Sequence, residues 1–197
     1  MIKTIKYSKD VDLEKELARS QFSYDDVNET VESILKDVKA RGDKALIEYT
    51  EKFDGVKLEN LEVTEEEIQK AFDTIDKDLM EVIQYSHDNI KKFHEKQVRN
   101  DFLIRQENGV VLGQVVNPIE KVGLYVPGGT AAYPSTVLMN AVPAKIAGCK
   151  EIVMVTPPTK DGTILPSLLV AAKISGVDRI FKVGGAQSIA ALSYGTE

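Results

Sequence analysis

Apolar positions in the first hundred residues keep a helical period. In residues 27–40, Val27, Val31, Ile34, Leu35 and Val38 fall on one helical face with charged residues between them. Arg41-Gly42 stops that helix, and Asp43 is placed to cap the next, whose stripe is Ala45, Leu46, Tyr49 and Phe53. Asp54-Gly55 reads as a turn. Thr64-Glu65-Glu66-Glu67 has the capping-box pattern: the Thr64 hydroxyl accepts from the third helical N–H, and the Glu67 carboxylate accepts from the Thr64 N–H. A longer helix is predicted from Asp76 to Gln97, with its charges on outer faces.

Beyond residue 100 the period changes. Two β-rich runs, 102–106 and 110–116, flank Glu107-Asn108-Gly109, and Asn-Gly tolerates the positive φ of a hairpin turn. Strands then follow at 122–126, 152–155 and 179–183, with helical patterns at 135–147 and 165–175 between them. Pro143 should kink or split the first of those helices, because it lacks a donor and crowds the carbonyl four residues back. Strand, helix, strand, helix, strand at this spacing predicts parallel strands with helical crossovers. The fold class is therefore α/β: a helical N-terminal region followed by half of a Rossmann-like doubly wound sheet. Three strands are only half of such a sheet, and its edges are expected to be open.

Composition sharpens the division. Residues 1–100 hold 41 of the 56 charged residues, while all seven prolines and eleven of the thirteen glycines come later. We therefore divide the chain into a mainly helical region 1–100, a hairpin connection 101–120 and an incomplete nucleotide-binding domain 121–197. The net charge of −6, with no basic block, argues against nucleic acid and anionic membrane as partners. No stretch reaches the roughly 18 apolar residues of a membrane span, and the first twenty residues have no signal-peptide core. Cys149 is the single cysteine, so no intrachain disulfide can form; this fits a reducing, cytoplasmic setting.

The candidate chemistry lies in two glycine pairs. VGLYVPGGTAAYPSTV, residues 122–137, is a strand, a turn at Gly128-Gly129 and a helix start. FKVGGAQSIAAL, residues 181–192, repeats the design at Gly184-Gly185. Both pairs fall at the C-terminal ends of predicted parallel strands, the edge where open α/β sheets bind ligands. Each also aims a helix N-terminus, with unpaired N–H groups, at that edge. Tyr125 and Gln187 flank the shallow, anion-tolerant cleft that results, but glycine at such turns also serves tight packing alone. The acid expected after the second strand for ribose hydroxyls is missing; Thr156-Pro157-Pro158 stands there. His87 and His94 lie seven apart, and HEKQV has Val98 where a zinc motif needs its second histidine, so both read as solvent-facing helix positions. Cys149 reads as a packed residue rather than a nucleophile, and no triad, paired-carboxylate or metal cluster stands out.

The residues themselves carry a resemblance. KVGLYVPGGTAAYPSTVLMNAVPAKIAGCKEIVMVTPP, residues 121–158, and VGGAQSIAALSYGTE, residues 183–197, closely resemble histidinol dehydrogenase. ARGDKALIEYTEKFDGV, residues 40–56, and NIKKFHEKQ, residues 89–97, are similar to its helical N-terminal region. The resemblance implies a fold related to the aldehyde dehydrogenases and a cytoplasmic homodimer with one zinc per subunit. It implies oxidation of L-histidinol to L-histidine through an aldehyde-level intermediate, with two NAD⁺ used in sequence, as the last step of histidine biosynthesis. It further implies that Tyr125 and Gln187 contact NAD. The family's zinc ligands and catalytic Glu-His pair match no position here. The chain thus reads as an N-terminal fragment, roughly the first half of the family's chain, that is inactive alone. A self-standing nucleotide- or anion-binding module and a scaffold piece are the competing readings.

Overall fold

The computed structural model describes Ser8, Asp12 and residues 25–128 and 132–196. The N-terminal stretch read above for a signal peptide lies largely outside the described residues, as does Gly129. The helical half begins with α1 (Asp25–Arg41) and α2 (Asp43–Asp54), followed by α3 (Glu65–Thr74) and α4 (Lys77–His94). A 3-10 turn, Glu95–Gln97, completes the helical stretch expected up to Gln97. The hairpin β1 (Phe102–Arg105) and β2 (Val111–Gln114) comes next. The α/β half runs β3 (Lys121–Tyr125), α5 (Pro134–Ala147), β4 (Glu151–Thr156), α6 (Pro166–Ser175), β5 (Arg179–Lys182) and α7 (Gly185–Tyr194).

The three strands form a parallel sheet in the order β3-β4-β5, with Tyr125 opposite Val155 and Thr156 opposite Lys182. Residues alternate between the two faces, and each face builds its own core. On the first, Val122, Leu124, Ile152, Met154 and Ile180 lie under α5 and α6, with α3 and α4 packed outside them. On the second, Val155, Phe181 and Val183 meet α7, which is covered in turn by α1 and α2. The crossover helices thus take one face and α7 the other, the arrangement of half a doubly wound fold.

Four local expectations change. Pro143 sits inside α5, which runs unbroken from Pro134 to Ala147. The carbonyl deprived of a donor belongs to Met139, an exposed residue. Asp43 is not a cap: Gly42, at φ +56°, takes the N-cap position and Asp43 enters the first turn, where its charge favours the helix dipole. The stripes end early, since Val27 and Phe53 are exposed, although Phe53 stacks on Tyr49. One sheet edge is covered rather than open. The Val63 N–H donates to the Ile180 carbonyl at 2.9 Å and the Lys182 N–H to the Leu61 carbonyl at 2.7 Å, so residues 61–63 line β5.

Other local signals hold. Thr64 and Glu67 make both bonds of the capping box, at 3.2 and 2.8 Å. Gly55, Gly148 and Gly176 end α2, α5 and α6 in the left-handed conformation that lets the last carbonyls find donors. The hairpin turns at Gly109, φ +84°. Its strands pair antiparallel but are exposed along their whole length, leaving Phe102, Leu103, Ile104, Val111 and Leu112 uncovered.

Candidate functional site

Both glycine turns sit at the C-terminal edge of the parallel sheet, after β3 and β5. Between them, at the end of β4, comes Pro157. A Cβ placed on Gly128 would lie 2.9 Å from Pro157 Cγ and 3.0 Å from the Pro157 carbonyl oxygen. One placed on Gly184 would lie 2.8 Å from Pro157 Cβ. Real Cβ atoms do not approach so closely, so both glycines make room for the same proline. Gly184 has an extended backbone, φ −118°, that any residue could adopt; its identity is set by space. Gly185 is glycine for another reason: its φ of +62° is left-handed.

Tyr125 ends β3 on the side facing α7 and is 39% exposed. Gln187 lies in the first turn of α7, is 1% exposed and folds back over Gly185: a Cβ there would be 2.5 Å from its Oε1. That Oε1 has no hydrogen-bond partner, and neither has the buried Oγ1 of Thr156, the residue before Pro157. A polar atom buried without a partner costs about 1–3 kcal/mol, so each calls for a reason. No side chain caps the start of α5 or α7 either; α7 turns its first N–H groups to this edge, whereas at α5 Pro134 has no N–H and the Thr136 N–H donates to the Tyr133 carbonyl at 3.0 Å. The structure thus brings Gly128 and Gly184 together on Pro157 and Gly185 against Gln187. Tyr125 shares the edge but no described hydrogen bond with Gln187.

Lys182 and Thr156 were not expected from the sequence. They stand opposite each other in the register. The Lys182 Nζ donates to the Glu67 carboxylate at 3.0 and 3.3 Å. The capping-box glutamate therefore does two things: it starts α3 and ties that helix to β5. A cleft of about 360 Å³ opens beside this pair, lined by Glu67, Lys70, Thr74, Thr159, Asp161 and Thr163. Hydrogen bonding from Thr159 holds the Asp161 carboxyl below its usual range.

The remaining candidates are engaged elsewhere. On α4, His87 Nδ1 lies 2.8 Å from Asp88 Oδ1, and His94 Nδ1 lies 2.7 Å from Gln97 Oε1. Cys149 is buried in the core under α5 and α6. Among the described residues no group of three or more His, Cys, Asp or Glu is placed to hold a metal ion. No helix among them is long and apolar enough to cross a membrane.

The family model for histidinol dehydrogenase matches residues 17–197. The chain belongs to the histidinol dehydrogenase family. The histidinol dehydrogenase of Clostridium acetobutylicum is 56% identical over 172 residues, 87% of this chain and 40% of its own length. That of Methanocaldococcus jannaschii is 51% identical over 198 residues, 100% of this chain and 46% of its own. The crystal structure of histidinol dehydrogenase from Elizabethkingia anophelis superposes with a TM-score of 0.85 at 39% identity, over 91% of this chain and 41% of that one. The chain thus spans less than half the length of the histidinol dehydrogenases it matches.

Proposed function

We propose that this chain supplies the NAD-binding half of a histidinol dehydrogenase, and that Gly128, Gly129, Gly184, Gly185, Tyr125 and Gln187 form the nucleotide cleft. The observation that carries this reading is the buried, unpartnered Oε1 of Gln187 against Gly185 at the uncapped start of α7, whose neighbour Gly184 shares Pro157 with Gly128. The first-turn N–H groups suit the pyrophosphate. Gln187 Oε1 accepts from a hydroxyl or amide of the nucleotide, and the partly exposed Tyr125 offers a ring face and a hydroxyl. Pro157-Pro158 and not an acid stands directly after β4, so the ribose is held without the usual carboxylate. NAD supplies a hydride acceptor, and these residues only bind and orient it.

In the whole enzyme the alcohol carbon of L-histidinol gives up two hydrides in succession, through the aldehyde, and water provides the second oxygen of L-histidine. Zinc does not fit the residues present: His87 is bonded to Asp88 and His94 to Gln97, close neighbours in sequence, and we route no step through it. We assign the cytoplasm as location, and a homodimer supported by the exposed apolar hairpin. The division into a helical region 1–100, a hairpin connection 101–120 and an NAD-binding part 121–197 belongs to the same proposal.

The test is kinetic. Residues 1–197 with L-histidinol, zinc and NAD⁺ should yield no NADH absorbance above blank. The longer protein containing this chain should turn over, with Gln187→Ala raising KM for NAD⁺ about tenfold, the loss of one hydrogen bond. Steady turnover by 1–197, or an unchanged KM in the variant, would overturn the assignment.

A further inference from the structure

We propose that Pro157 is a positioning residue of the cleft: its ring is the shared spacer that sets the distance between the two glycine turns. The inference rests on the nucleotide reading for its purpose, but on packing alone for its mechanism. The two turns are 56 residues apart in sequence, from Gly128 to Gly184. They belong to β3 and β5, which do not pair with each other because β4 lies between them. Among the described residues it is the end of β4, Thr156-Pro157, that lies against both turns.

The geometry is specific about which atoms do the spacing. At Gly184 the three atoms nearest a Cβ all belong to the Pro157 side chain: Cβ at 2.8 Å, Cδ at 3.1 Å and Cγ at 3.2 Å. At Gly128 it would meet Cγ at 2.9 Å and Cδ at 3.1 Å, but also the backbone carbonyl oxygen at 3.0 Å. The ring is thus clasped from both sides at closest packing, with no slack for a methyl on either side. Proline suits the place because its ring is fixed to the backbone and has no rotamer to yield. A flexible side chain of equal volume would let the turns drift. The position where a Rossmann domain carries its ribose acid is here spent on a rigid spacer.

The atom lists give an asymmetric prediction. Pro157→Gly deletes the three atoms nearest a Cβ at 184, and the alanine methyl then occupies the vacated space. The same change leaves the carbonyl oxygen that a Cβ at 128 would strike. Gly184→Ala should therefore be rescued by Pro157→Gly, and Gly128→Ala should not.

The experiment uses residues 1–197 and their variants, followed by amide NMR with and without NAD⁺ and by thermal melting. Alone, Pro157→Gly, Gly184→Ala and Gly128→Ala should each weaken the NAD⁺ response about fivefold or more. Gly184→Ala/Pro157→Gly should bind about tenfold better than the two single effects combined predict. Gly128→Ala/Pro157→Gly should be additive. In the nucleotide-free chain, Gly184→Ala should also move the Gly128 amide signal, a readout that needs no ligand. If Pro157→Gly does not fold, Pro157→Ala replaces it; it should loosen NAD⁺ in the same direction but leave Gly184→Ala unrescued, because Pro157 Cβ remains. In the longer enzyme, Pro157→Ala should raise KM for NAD⁺ with kcat little changed. Equal rescue at 128 and 184, or a Gly128 amide indifferent to Gly184→Ala, overturns the spacer. A wild-type chain indifferent to NAD⁺ while that amide still moves overturns the nucleotide reading and leaves the spacer standing.

Discussion

Breaking the Lys182–Glu67 pair should destabilise the chain by an amount that depends on which partner is removed. The Lys182 side chain is 9% exposed and that of Glu67 30%, with Nζ 3.0 Å from Oε1. At that distance and an effective dielectric of 20 the gross attraction is about 5 kcal/mol, an upper bound before desolvation is subtracted. Lys182→Met leaves Glu67 partly hydrated and still accepting from the Thr64 N–H at 2.8 Å, so about 1–2 kcal/mol should be lost. Glu67→Gln keeps an acceptor for Thr64 but strands the more buried ammonium, and about 2–4 kcal/mol should be lost. For a chain of this size each kcal/mol lowers the melting midpoint by about 2–4 °C. Circular dichroism melts of 1–197 should therefore place Glu67→Gln below Lys182→Met, with the double variant closer to Lys182→Met than the sum of single effects. Equal single effects, or strict additivity, would refute the argument that this pair ties α3 to β5 from inside the fold.

A Cβ on Gly123 would lie 2.7 Å from Leu192 Cδ1, so Gly123→Ala should cost about 1–3 kcal/mol in urea unfolding, and Leu192→Ala should recover part of it. Acid should weaken the fold through depressed carboxylates. Two bonds from Arg41, at 2.6 and 2.7 Å, hold Asp37 down at about 2, and Arg179 lowers Glu62. Folded pKa values below the unfolded ones stabilise above the ordinary carboxylate range, and that stability is lost as pH falls through the folded values. Melting midpoints should drop between pH 6 and pH 2 at constant ionic strength, and less steeply in Glu62→Gln. Elemental analysis after dialysis against low-micromolar zinc should find no stoichiometric metal on 1–197; one retained zinc per chain would mean that His87 and His94 were misread.

The parts of the fold written in local periodicity were legible before any coordinates. The capping box at Thr64, the turn at Gly55, the hairpin at Gly109 and the three strands all depend on neighbours within a few residues. What failed depended on distant partners. Pro143 was expected to kink or split α5, and the helix runs through it without a split. The covered edge of β5 comes from residues 61–63, more than a hundred positions away, and no pattern in either segment announces the other. The glycine turns were visible, yet their clasp on Pro157 was not, because a proline after a strand reads only as punctuation. Nothing in the sequence around Lys182 points to Glu67, which the fold places against it.

Where NAD⁺ sits on this chain is the most direct question, and intermolecular NOEs between the nucleotide and isotope-labelled 1–197 answer it. The predicted result is contacts from the nucleotide to Tyr125, Gly128, Gly184 and Gln187 at the ends of β3 and β5. Contacts confined to Lys70, Thr159 and Thr163 in the cleft beside α3, or none at saturating nucleotide, would contradict the assignment of the glycine turns as the cofactor site.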